Sequence, residues 1–162
     1  MDRRLFLSAS AAALAGCGFE LRKPPDFAFR SIAIPAGGPL ANELRRVIGA
    51  TGDVQVLPRQ SPPTGAQVVL DLLAEQREKV VVGLNASGQV REFQLRSIVR
   101  FRLRTPQGRE LIPETELVQQ RDISFNESAV LAKEGEETLL YRDMQTDLVQ
   151  QLMRRLAAVK TV

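Results

Sequence analysis

The alternation of apolar and polar residues is clearest in the middle of the chain. From Val68 the even positions are apolar: Val68, Leu70, Leu72, Ala74, Val80, Val82 and Leu84. Beyond Asn85-Ala86-Ser87-Gly88 the odd positions take over, with Phe93, Leu95, Val99, Phe101 and Leu103. A period of two marks a half-buried strand, and the Asn/Ser/Gly stretch between the runs predicts a turn. Pairing Leu84 with Gln89 puts both apolar sets on one face of an antiparallel pair. Pro106-Gln107-Gly108 then suits a three-residue hairpin loop with glycine in the left-handed position. That loop pairs Leu103 with Leu111 and returns the chain along Leu111–Phe125.

The flanks carry helical periods. Phe29–Pro35 reads as a short strand with Ile32 and Ile34 on one face, and Gly37-Gly38-Pro39 opens a helix, since proline suits a first turn. Leu40, Leu44, Val47 and Ile48 form its apolar stripe, and Gly49 or Gly52 ends it. Val54–Leu57 is a second strand, so strand–helix–strand predicts a parallel pair joined by a right-handed crossover. Pro58–Gly65 is a loop, open between a passive connector and a partner contact. Asn126 or Ser128 is placed to cap a final helix over Ala129–Ala158. Its stripe is Leu140, Met144, Leu148, Leu152, Leu156 and Val159, Arg154, Arg155 and Lys160 lie near its negative end, and Gly135 weakens its first turns. Together these elements predict an α+β two-layer fold: a mixed sheet of four or more strands, long central antiparallel strands, and two helices packed on one face.

The first residues follow a different pattern. Arg3 and Arg4 precede an apolar Leu5–Ala15, which is shorter than the roughly 20 apolar residues a membrane-spanning helix needs. Leu14-Ala15-Gly16-Cys17 has the form of a lipobox, in which the signal is cut before a cysteine that carries lipid. Residues 1–16 are thus expected to be a signal peptide, 17–28 a lipidated start and tether, and 29–162 one domain. Asp2-Arg3-Arg4-Leu5-Phe6-Leu7 loosely resembles a twin-arginine start, which leaves the export route open. Several acyl chains on Cys17 would give stable anchoring where one would not. Gly18, in place of the aspartate that retains Gram-negative lipoproteins at the inner membrane, points to the periplasmic side of the outer membrane.

Composition narrows the chemistry. The chain has 162 residues, one cysteine, no histidine and no tryptophan. With Cys17 committed to lipid, the usual nucleophiles, bases and zinc ligands are missing, so no enzyme, metal or cofactor is expected. Glu114/Glu116 and Glu136/Glu137 are the available carboxylate pairs, but each sits among basic residues in a solvated stretch. Loss of Asp2, Arg3 and Arg4 with the signal lowers the formal charge from +3 to +2, mild for a nucleic-acid binder.

The conspicuous charges are Arg96, Arg100, Arg102 and Arg104 along one strand face. The expected register sets Arg104 opposite Glu110, Arg100 opposite Glu114 and Arg102 opposite Asp71, as cross-strand ion pairs. It sets Arg96 between Arg77 and Val118, so Arg77 and Arg96 repel unless an anion joins them. That makes the two arginines a candidate phosphate site, weighed against plain surface.

Five stretches carry a resemblance: Cys17-Gly18-Phe19-Glu20-Leu21-Arg22, Gly88–Leu95, Leu131-Ala132-Lys133-Glu134, Asp143-Met144, and Gln150-Gln151-Leu152 with Arg155-Leu156. In this order the chain resembles the LPS-assembly lipoprotein family LptE. The resemblance implies a plug seated inside the β-barrel protein LptD, which helps that barrel fold and binds lipopolysaccharide on its way to the outer leaflet. It also implies glycolipid contact by basic residues near the tip of the long central strands and near the start of the last helix. Lys133 falls in the matching helix segment. At the tip, Asn85–Gly88 holds no basic residue and Arg91 lies three positions beyond. The rival reading is a lipid-anchored scaffold or chaperone with no lipopolysaccharide role.

Overall fold

The computed structural model describes residues 25–162. Strand β1 (Ser31–Ala33) leads into helix α1 (Pro39–Gly49), and β2 (Gln55–Val56) follows. Three long strands come next, β3 (Val68–Leu84), β4 (Val90–Arg104) and β5 (Glu110–Ser124), and helix α2 (Val130–Ala157) closes the chain. The strands form one five-stranded sheet in the order β2-β1-β3-β4-β5. β1 runs parallel to both β2 and β3, whereas β3, β4 and β5 are antiparallel. This is the expected α+β layering, with a mixed sheet, long central antiparallel strands and two helices.

The local signals act as read. Pro39 occupies the first turn of α1, and the helix ends at Gly49 with Gly52 in the left-handed region beyond it (φ 79°). Gly108 takes a φ of 97° in the loop that joins β4 to β5. The Asn85 side chain accepts from the backbone N–H groups of Ser87 and Gln89, which closes the β3–β4 turn. Asn126 accepts from the Ser128 N–H and so caps the short 3-10 turn Glu127–Ala129 rather than α2 itself. α2 runs unbroken through Gly135, which stands in open space within the exposed first turns of the helix.

The main core lies at the lower end of the sheet, where the short strands are. Ile32, Ile34, Val68, Leu70, Val99, Phe101 and Leu103 meet Leu40, Leu44 and Ile48 of α1 and Leu148, Leu152 and Leu156 of α2. Leu95, Ile123 and Met144 extend this layer upward as a smaller cluster with Phe93, Leu140 and Tyr141. On the opposite sheet face, Leu57 and Ala66, which flank the 58–65 loop, cover Ala33 and Val69.

The expected β3–β4 register first fails at Leu73. It holds from Val69↔Arg104 to Leu72↔Phe101, and a bulge at Leu73 then shifts the pairing by one, from Ala74↔Arg100 onward. Because successive side chains point to opposite faces, a single extra residue exchanges the two faces of β3 above it. Arg77 and Lys79 turn toward α2, while Val80 and Leu84 turn to the open face. Val80, Val82 and Leu84 are therefore exposed rather than buried. A second irregularity in β5 pairs Leu103 with Ile112 instead of Leu111, and the hairpin end pairs Leu84 with Val90 instead of Gln89.

Candidate functional site

The register shift dismantles the expected arginine pair. Arg77 and Arg96 lie on opposite faces of the sheet: Arg77 stands across from Ser97, and Arg96 from Glu78 and Gln120 rather than Val118. Arg96 donates through Nε to Gln94 and lies 4.0 Å from Glu78. The Arg77 guanidinium sits 5.1 Å from the centre of the Tyr141 ring and donates to Gln145. Gln145 in turn donates to Glu43, which also accepts from Thr146, so Arg77 joins a polar clasp linking β3, α2 and α1. Each arginine has a partner of its own, and no anion is required between them.

The remaining strand arginines are ion-paired on the open face. Arg102 and Arg104 both donate to Asp71, at 2.9 and 2.7 Å, so Arg104 turns away from Glu110 although the two are register partners. Arg100 reaches Glu114 diagonally at 3.2 Å, its register partner being Glu116. Burial pushes the Asp71 carboxyl up, but hydrogen bonds and charge from Arg104 and Arg102 outweigh it and hold the group below the usual aspartate range.

Two residues singled out from the sequence, Arg91 and Lys133, lie at the same end of the molecule but line different cavities. The Phe125 N–H donates to the Arg91 carbonyl at 2.7 Å, and Lys133 Nζ donates to Ser124 Oγ at 3.0 Å. The end of β5 thus ties the start of β4 to the start of α2. Arg91 lines an open cavity of about 290 Å³ with Gln89, Asn126 and Ser128. Lys133 lines a neighbouring one of about 140 Å³ whose apolar walls are Phe93, Ile123, Phe125 and Val130.

That second cavity holds another cation, Lys79, to which the even–odd pattern had given the other face. Its ammonium sits 4.5 Å above the Phe93 ring and 2.6 Å from Glu137. Lys133 is paired likewise with Glu136 at 2.7 Å. Phe93 and Phe125 meet edge to face, with centroids 5.4 Å apart, and stiffen the wall between the cations. Two primary ammonium groups beside an aromatic, apolar niche suit an anionic group carried on an apolar body. A phosphate would replace the carboxylate partners rather than enter an uncompensated site. The unbroken run Val80-Val81-Val82, which departs from strict alternation, was the sequence signal for the shift in face.

Below this cavity, the Tyr141 hydroxyl donates to the Glu78 carbonyl at 2.8 Å. Burial, followed by the nearby Glu137 charge, raises its pKa, so the phenol stays protonated. Cys17, the lipidation candidate, lies outside the described residues. Among the described residues no helix is long and apolar enough to cross a membrane, and no cluster of His, Cys, Asp or Glu could hold a metal ion.

Comparison with known proteins places this geometry. The family model LptE, described as lipopolysaccharide-assembly, matches residues 25–156. Lipoprotein B from Nitrosomonas europaea, solved by NMR, is 34% identical, with a TM-score of 0.73 over 87% of this chain and 91% of that one. The rare lipoprotein B of Shewanella oneidensis is 20% identical, with a TM-score of 0.64 over 80% and 95% of the two chains. A minor lipoprotein of Acinetobacter baumannii is 22% identical, with a TM-score of 0.60 over 83% and 94%. The last two likenesses establish the fold alone. Among curated proteins, none matches.

Proposed function

The chain belongs to the LptE lipopolysaccharide-assembly family, and from that premise we propose that it is an outer-membrane lipoprotein which binds lipopolysaccharide and seats as a plug in the β-barrel protein LptD. The anchor in this reading is lipid on Cys17, facing the periplasm, and the role is carriage and assembly without catalysis. The observation that carries the ligand half is the meeting of Lys133 and Lys79 in one apolar niche, with Arg91 in a separate cavity at the same end of the fold. Lipid A presents phosphates on an acylated sugar, and ammonium donors beside phenyl rings match both parts. Arg77 and Arg96 leave the ligand set as a pair, since they stand on opposite faces of the sheet and cannot share one anion.

The test has two arms. Affinity purification of the full chain from envelope membranes should recover a stoichiometric complex with one large β-barrel protein. In parallel, Lys133→Ala combined with Arg91→Ala should weaken lipopolysaccharide binding by about one to two decades, the scale of lost charge-assisted contacts. Arg96→Ala should leave binding unchanged. A chain that purifies without a barrel but still binds glycolipid overturns the plug. Equal binding by the double variant and wild type overturns the assignment of these cations.

A further inference from the structure

The niche around Lys133 has a neighbour on the same side of the sheet. A second, more open cavity of about 420 Å³ lies between β3 and α2, lined by Arg77, Lys79, Glu134, Glu137, Thr138 and Tyr141. Its helix wall is a single stripe, since residues three and four apart share one face of a helix. Its strand wall is Arg77 and Lys79, two residues apart and therefore on one face of β3. Lys79, Glu134 and Glu137 line both cavities, whereas Lys133 belongs only to the first and Arg77 only to the second. The Lys79–Glu137 ion pair, 2.6 Å long, thus stands on the boundary between them.

The contacts of Arg77 in this cavity are neutral: the Tyr141 ring at 5.1 Å and Gln145 Oε1 at a long 3.4 Å. A guanidinium has five N–H donors, so most of its capacity is left for a ligand. Tyr141 links the charges, since burial and then Glu137 raise its pKa while Arg77 lowers it. Lys133 and Tyr141, which mark the two cavities on α2, are eight residues apart, about 12 Å along the helix axis.

We infer that the two cavities are two anion subsites for one ligand, at Lys133 and at Arg77, with Lys79 between them and Glu137 as the group that the ligand displaces, an inference that rests on the ligand reading above. The glycolipid is thereby narrowed to one carrying two phosphates on a single rigid body. One phosphate meets the Lys133 and Lys79 ammonium groups in the niche. The other, roughly two helical turns away, meets the Arg77 guanidinium, whose planar fork fits phosphate oxygens. Glu137 is the partner of Lys79 in this structure, and an arriving phosphate must take its place against the repulsion of its charge. A ligand with one phosphate leaves Arg77 on its neutral partners. One with two gains a charge-assisted contact that offsets the broken ion pair.

Diphosphoryl and monophosphoryl lipid A of equal acylation, titrated onto the full chain in non-ionic detergent, test this. Wild type should bind the diphosphoryl form at least about tenfold more tightly, the scale of one charge-assisted contact. Arg77→Gln should remove that preference and leave monophosphoryl affinity as it was, while Arg77→Lys should keep part of the preference. Glu137→Gln should tighten binding of both forms by up to about fivefold, the scale of an exposed ion pair. Equal wild-type binding of the two forms, or a preference that survives Arg77→Gln, overturns the second subsite while phosphate recognition at Lys133 stands. Weaker or unchanged binding by Glu137→Gln overturns the displacement. Binding of neither form by wild type defeats the inference together with the reading beneath it.

Discussion

Arg96 faces Glu78 across β3 and β4, their closest charged atoms 4.0 Å apart, because the Leu73 bulge has moved Arg77 to the other side of the sheet. A like-charge pair is thereby replaced by a weak opposite-charge pair. Both side chains are about 40% exposed, so solvent screens the attraction. Glu78→Gln should change stability by less than about 1 kcal/mol. Urea unfolding followed by circular dichroism would decide it; a loss of several kcal/mol would mean that the pair holds the register.

Asp71 is the contrasting case, since one carboxylate serves two guanidiniums. Asp71→Asn should destabilise the fold by about 1–2 kcal/mol, the range of charge-assisted hydrogen bonds at a partly screened site. The sign of the pH effect follows from the lowered pKa. The stabilisation is fully present above the unfolded aspartate pKa, near 4, and disappears as pH falls through the lower folded value. Unfolding curves between neutral and strongly acidic pH should show wild type losing its advantage over Asp71→Asn only in the acid range.

Gly83 tests the strand end that carries the exposed Val80, Val82 and Leu84. A methyl group there meets the Cβ of Glu92 at 2.9 Å, and neither strand can yield without loosening the pairing. Gly83→Ala should cost about 1–2 kcal/mol, the range of modest overpacking. Amide hydrogen exchange should quicken over residues 80–94 while the lower core stays protected. Unchanged protection there would show that the hairpin end adapts freely.

Cys17 decides whether the anchor exists. Cys17→Ser should abolish lipidation and signal removal, and the protein should leave the membrane fraction on cell breakage. Mass spectrometry of the native protein should find an acylated Cys17 at the mature terminus. Any other terminus rejects the lipobox.

The elements of this protein follow from local chemistry. Pro39, Gly108 and Asn85 act through their own dihedral and hydrogen-bonding preferences, and the stripes Leu40–Ile48 and Met144–Leu156 follow the helical period. The faces of β3 do not follow from local chemistry. Alternation states that Val68 and Val80 share a parity, but parity equals face only while no residue is inserted, and the bulge at Leu73 depends on what β4 and α2 present to each half of the strand. Below it the main core takes the even residues. Above it α2 offers Glu137, Gln145 and the Tyr141 ring, which satisfy Lys79 and Arg77 better than they would valines. Tertiary structure therefore separated Arg77 from Arg96, brought Lys79 to Lys133, and left Val80 and Leu84 uncovered, because the partners that decide those positions lie tens of residues away in the chain.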